Sequence, residues 1–156
     1  MLRSFVGSFS RQVSPLAAAA RSLNVHEHFA HELLRKFDVG CPAGGVALSG
    51  EEAMAVAQGL PGKKYVVKAQ ILAGGRGLGK FKNGFKGGVH LTEDIEKVGE
   101  LASKMIGQTL VTKQTGEEGR PVAKVLVSEA LFPRREVYFA ILLDRESQVS
   151  RSIVSL

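Results

Sequence analysis

The apolar and polar positions alternate between two periods along this chain. From Val25 to Phe37 the period is helical: Phe29, Leu33, Leu34 and Phe37 recur at three and four residues with charges between them. Gly40 and Pro42 stop that helix. Val46 to Leu48 reads as a short strand. Ser49 then caps a second helix, with Glu52 three residues on as a capping box, and Gly59 to Gly62 end it. Tyr65 to Leu72, YVVKAQIL, reads as a buried strand. Ala73 to Gly88 holds seven glycines and four basic residues and cannot be a helix. Val89 to Leu91 resumes as a strand. Thr92 is placed to cap a helix whose first turn carries Glu93 and Asp94, matched to the dipole. Ile95, Val98, Leu101 and Ile106 give that helix an apolar face. Leu110 to Lys113 is a short strand and Thr115 to Arg120 a turn. Lys124 to Ala130 and Val137 to Leu143 are two later strands, parted by Phe132-Pro133-Arg134-Arg135. This order predicts an α+β or α/β domain. After Asp144 the text becomes RESQVSRSIVSL, with four serines and no cap or turn. It reads as a truncated or altered end.

Composition narrows the class. The 156 residues suit one ordinary domain, and 44% hydrophobic with 23% charged is average globular usage. A wholly disordered tail and a collagen are excluded. No apolar run approaches the roughly 20 residues of a membrane span. The single Cys41 excludes an intrachain disulfide framework.

The net charge of +6 is uneven. Residues 1–22 contain Arg3, Arg11 and Arg21, several serines and no acid; the first carboxylate is Glu27. That is the composition of a mitochondrial transit peptide, with cleavage expected near Arg21 to Leu23. A secretory signal would need a longer apolar region, and a frayed, solvated terminus is the plain alternative. Setting those three arginines aside leaves 18 basic against 15 acidic residues, too small a surplus for a general nucleic-acid binder.

The remaining basic density lies at Arg76, Lys80, Lys82 and Lys86. The run from Lys68 to Lys80 joins a strand with a central lysine to a glycine-rich loop with an arginine. Backbone N–H groups in such a loop can form an anion-binding nest. The lysine adds a point charge and the arginine a planar fork, which together suit a polyphosphate. A Walker A loop fails, because Phe81 stands where the magnesium-binding hydroxyl belongs. A Rossmann fingerprint fails at Lys80, where glycine is required. An RGG-type RNA segment lacks interleaved aromatics beyond Phe81 and Phe85. Standing alone, Lys68 would be a snorkelling strand-edge lysine and Arg76 a solvated loop charge.

His26, His28 and His31 cluster without metal-ligand spacing, since alanine stands at position 30 where H-E-x-x-H needs histidine. His90 is isolated, and nothing marks Cys41 as a nucleophile. Glu129 and Glu136 are the acids nearest the late strands, where a carboxylate can accept ribose hydroxyls or simply face water.

Several motifs resemble one family, the succinate–CoA ligase beta subunits. Leu23-Asn24-Val25-His26-Glu27 resembles its N-L-H-E-Y start. Val66 through Gly77 resembles V-V-K-x-Q-x-x-A-G-G-R-G. Gly87-Gly88-Val89, Leu110 through Thr115, and Glu136-Val137-Tyr138 through Arg145 follow in the family's order. The match covers residues 23–146, with 147–156 divergent. The resemblance implies the first part of an ATP-grasp fold, a truncated α+β unit with a mixed sheet flanked by helices. It implies that Lys68 contacts nucleotide phosphate and that Gly75, Arg76 and Gly77 wrap the nucleotide. Glu136 matches a nucleotide-binding glutamate. A second family glutamate falls near Ser128 or Glu129, and Glu129 is taken for it. Val127 to Leu131 would border the base. A proline at position 42 resembles ADP-forming members.

The cofactors implied are ATP or ADP with Mg2+, the metal ligands lying beyond this chain. The partners implied are an alpha subunit carrying a phosphohistidine, and CoA and succinate through the full complex. None of the four histidines here matches that phosphohistidine. The implied place is the mitochondrial matrix, with no membrane partner. On this reading the chain binds nucleotide feebly and does not turn over alone. A related ligase using another acid, such as malate, is the near alternative. The alternative of another class is a non-catalytic module docking on an alpha subunit or on RNA.

Overall fold

A computed structural model describes residues 24–144 and 147–155. The expected transit segment, 1–22, lies outside the described residues.

Three helices form where the apolar period is helical. Helix α1 (Glu27–Arg35) carries an acid in its first turn and a base in its last, matched to its dipole. Helix α2 (Gly50–Gln58) is capped by Ser49, whose hydroxyl accepts the Glu52 N–H at 3.1 Å. The Glu52 carboxylate returns to the N–H of Leu48 at 2.8 Å, so the expected box closes one residue further out. Helix α3 (Ile95–Met105) begins later than expected. Asp94, not Thr92, is its cap and accepts the Glu96 N–H at 2.9 Å, while the Thr92 hydroxyl accepts the Asp94 N–H. Asp94 stands directly before the first turn, so its carboxylate, and not the Thr92 hydroxyl, reaches an N–H of that turn.

The central sheet has strands β1 (Gly44–Ala47), β2 (Tyr65–Ala69), β4 (Val89–Thr92) and β7 (Val125–Glu129), in the order β1-β7-β2-β4. A small sheet pairs β3 (Lys80–Phe81), β5 (Thr109–Val111) and β6 (Arg120–Pro121). Strands β8 (Tyr138–Asp144) and β9 (Val149–Ser155) form a separate hairpin. The α+β class is the one the sequence predicts. The mixed sheet is corrected in one respect: every strand pair among the described residues is antiparallel. The neighbours in the main sheet are joined by long connections that reverse direction.

Pleating divides the two faces. Tyr65, Val67 and Ala69 of β2 are buried with Val125 and Val127 of β7, under α2 and α3. Val98, Leu101, Ala102 and Met105 are the buried stripe of α3. Lys68 points to the opposite face, opposite Leu126, where α1 lies against β1 and β7. Strand β7 sits between β1 and β2 and is covered on both faces, which explains why it is buried from Val125 to Ser128.

The hairpin departs from the sequence reading. Residues 149–155, part of the end expected to be truncated or altered, pair in full register from Asp144↔Val149 to Tyr138↔Ser155. Tyr138, Phe139, Ile141, Leu142 and Leu143 are exposed on it. No helix among the described residues is long and apolar enough to cross a membrane.

Candidate functional site

The strand end at Ala69 and the glycine loop that follows build the site. Gly75 has φ +74°, a left-handed turn that L residues avoid. That turn folds Arg76–Leu78 into a single 3-10 turn, so the segment read as irregular contains one helical turn and the short strand β3. The loop is held close to the body. The Ala69 N–H donates to the Gly88 carbonyl, and the Gly88 N–H donates to the Arg76 carbonyl, both at 2.8 Å. A side chain at Gly88 would sit 2.7 Å from Leu110, so glycine permits this approach. The Gly74 N–H is taken by Gln114 Oε1 at 2.6 Å. The expected anion nest is therefore partly filled by the protein's own acceptors.

The two cations meet at Glu27. Lys68 Nζ donates to Glu27 Oε1 at 2.8 Å, and an Arg76 terminal nitrogen donates to Glu27 Oε2 at 2.7 Å. The other terminal nitrogen of Arg76 donates to the Ala69 carbonyl at 2.8 Å. Burial pushes the Glu27 carboxyl up, but the hydrogen bonds and charges of Lys68 and Arg76 together hold it below its ordinary value. One positive charge remains on the cluster. His31 lies 3.9 Å from Glu27, yet burial, the larger effect, lowers its pKa.

The cluster borders a cleft of about 480 Å³ lined by Asn24, Val25, Glu27, Ile71, Leu72, Gly74 and Arg76. A second cleft of about 440 Å³ shares Asn24, Ile71 and Leu72 and adds His26 and Arg120. Both fall in the size range of small-ligand sites, about 300–1,000 Å³. Burial, then His28, Lys124 and Arg76, lowers the pKa of His26, whose Nδ1 is buried without a hydrogen-bond partner.

Of the residues singled out in the sequence, Lys68, Gly75 and Arg76 come together, and Gly77 follows in open space. Glu129 and Glu136 are not brought to this cluster. Glu129 closes β7 against the chain before β1: its Oε1 accepts the Ala43 N–H at 2.8 Å. Glu136 is exposed on the approach to β8. Ser128, the other position weighed for a family glutamate, lies on the Lys68 side of the sheet, and its hydroxyl is buried and unpartnered.

Sequence reasoning gave Glu27, Gln70 and Gln114 no role. The Glu27–Lys68, Gln70–His28 and Gln114–Gly74 pairs each join residues 40 or more apart, beyond the reach of any local pattern. Among the described residues no group of three or more His, Cys, Asp or Glu could hold a metal ion. The resemblance puts the magnesium ligands beyond this chain, and no residue here is assigned to the metal.

A family model described as an ATP-grasp domain matches residues 24–156. Three curated relatives illustrate the similarity. The mitochondrial ADP-forming succinate–CoA ligase subunit beta of Dictyostelium discoideum is 49% identical over 138 residues, 88% of this chain and 31% of that protein. The mitochondrial ADP-forming subunit beta of Schizosaccharomyces pombe is 45% identical over 155 residues, 99% and 36%. The mitochondrial GDP-forming subunit beta of Mus musculus is 52% identical over 125 residues, 80% and 29%. The chain spans about a third of the length of these relatives. With its sheet, its glycine loop and this match in agreement, the chain belongs to the ATP-grasp domain family, and its similarity is to succinate–CoA ligase beta subunits.

Proposed function

We propose that this chain forms part of the nucleotide-binding beta subunit of a succinate–CoA ligase. That enzyme would interconvert succinyl-CoA, ADP and phosphate with succinate, CoA and ATP. The observation that carries the reading is the convergence of Lys68 and Arg76 on Glu27, with Arg76 and Glu27 lining a cleft, in a chain of this family. The Lys68 ammonium and the Arg76 guanidinium would take the nucleotide phosphates through charge-assisted hydrogen bonds. The turn at Gly75 and Gly77 would let the backbone approach them. The resemblance gives Glu129 and Glu136 a share in nucleotide binding. The proposal is built on Lys68, Gly75, Arg76 and Gly77, because Glu129 is already bonded to Ala43.

The proposal extends to the setting. An alpha subunit would supply the phosphorylated group, and CoA and succinate would bind through the full complex. Residues 1–22 would direct the chain to the mitochondrial matrix, residues 23–146 would be the nucleotide-binding part, and 147–156 its divergent end. No magnesium ligand is assigned to this chain. ADP is the proposed nucleotide, on the resemblance at Pro42.

Isothermal titration with ADP and with GDP, each with magnesium, tests nucleotide choice. Weak binding that favours ADP is the expected result. An assay with an alpha subunit present should show no robust turnover by this chain. Rapid turnover, or equal affinity for both nucleotides, contradicts the proposal.

A further inference from the structure

The first turn of α1 reaches across the sheet into the glycine loop. Glu27 is 41 residues from Lys68 and 49 from Arg76 in sequence, and one carboxylate oxygen serves each. All three side chains are largely withdrawn from water, at 21%, 21% and 23% exposure. We infer that Glu27 is a positioning residue for the phosphate site: its carboxylate holds the Lys68 ammonium and the Arg76 guanidinium side by side, so that both face one phosphate-bearing ligand. The inference rests on the nucleotide reading above.

Repulsion makes such a holder necessary. Two like charges withdrawn from water repel strongly in a medium less polarisable than the solvent. Without an anion between them the flexible lysine would swing toward solvent. Glu27 engages one N–H of each cation, and the Ala69 carbonyl engages one more of Arg76. Most of their N–H donors lie outside these bonds and can meet phosphate oxygens. The remaining positive charge selects an anion, so a nucleoside diphosphate should bind and the bare nucleoside should not.

The carboxylate is itself anchored. His28 Nδ1 lies 3.1 Å from Gln70 Oε1, and the His28 N–H donates to the same oxygen at 3.3 Å. Gln70 Nε2 in turn donates to the Lys68 carbonyl at 3.2 Å. The backbone of α1 therefore fixes Glu27 to the strand that carries Lys68. A carboxylate that merely filled an empty phosphate site would need no such anchor.

The test compares Glu27→Gln with Glu32→Gln in the full chain, with ADP plus magnesium as the probe. Glutamine keeps one acceptor and turns an amide NH2 toward the second cation, so it can hold only one of them. The expected result is an affinity about tenfold lower for Glu27→Gln, the scale seen when a residue supporting a site is lost. This loss should occur although the cluster gains a positive charge. Glu32→Gln makes the same charge change at an exposed position of the same helix, away from the cations, and should change affinity by less than about twofold. Unchanged or tighter binding by Glu27→Gln would mean that the carboxylate only competes with phosphate, and would overturn the inference. So would an equal loss in both variants.

A second readout needs no nucleotide. The terminal Nη–H signals of the Arg76 guanidinium should exchange slowly with water in the native chain and quickly in Glu27→Gln. If the native chain binds no ADP, the nucleotide reading falls. The Arg76 signal then still decides the tether, and no change in Glu27→Gln overturns it.

Discussion

Lys68 and Glu129 stand on neighbouring strands and face opposite sides of the sheet. Lys68 is opposite Leu126, and Glu129 is opposite Tyr65. Side chains alternate along a strand, so Leu126 and Ser128 share the Lys68 side while Glu129 goes with Tyr65. Three residues of strand also separate their positions by about 10 Å. Glu129 instead joins β7 to Ala43 by two bonds, one through its carboxylate and one through its N–H, at 2.8 and 2.9 Å. Glu129→Ala should therefore destabilise the fold by about 1 kcal/mol, the net worth of one such bond. Glu136→Ala, at an exposed position, should stay within about 0.5 kcal/mol. Urea unfolding midpoints of the two variants measure the contrast.

Acid should weaken the protein in two stages. The folded-state pKa of His26 and of His31 is below the ordinary 6.5, first because burial disfavours the charged ring. The unfolded chain then takes up these protons first. Stability from the neutral rings is complete above about 6.5 and is lost as pH falls through the folded values. Glu27 is held below its ordinary 4.5, since its two cations outweigh the opposing effect of burial. Its contribution is complete above about 4.5 and is lost at lower pH. Urea unfolding from pH 7 downward, at roughly unit steps, should show both declines. Glu27→Gln should erase the second and keep the first.

The glycine loop should tolerate substitution unevenly. Gly75→Ala places an L residue at φ +74° and should cost about 1–2 kcal/mol. Gly88→Ala puts a methyl 2.7 Å from Leu110 and 3.3 Å from Ala69, which should cost about 1–3 kcal/mol. Gly77→Ala meets nothing within 4 Å and should be close to neutral. Thermal unfolding of the three variants gives the order directly.

Local chemistry was legible and distant chemistry was not. Ser49 and Glu52 carry the start of α2 in four consecutive residues; the Ser49 hydroxyl bonds as that spacing predicts, and Glu52 reaches the N–H one residue further out. The strand from Tyr65 and the glycine-rich loop after it were equally plain, because period and composition change together there, although β2 ends at Ala69 and not at Leu72. The pairing of β9 was hidden, since the serines and arginine of residues 149–155 hold no apolar alternation and pairing with β8 supplies the order. Lys68 and Arg76 could be singled out from their loop. Glu27 could not, because only the packing of α1 across the sheet brings it to them. Its signals were its place as the first acid in the chain and as the glutamate matching the family's N-L-H-E-Y start, and neither points to Lys68 or Arg76.

The central claim is that Lys68 and Arg76 together hold the phosphates of an adenine nucleotide. Amide NMR spectra recorded while ADP and magnesium are added test it most directly. In the native chain the shifts should gather over residues 68–77, and in the Lys68→Ala, Arg76→Ala double variant they should vanish while the rest of the spectrum stays folded. Shifts of the same size and place in the double variant, or none in the native chain at saturating ADP, would contradict the account.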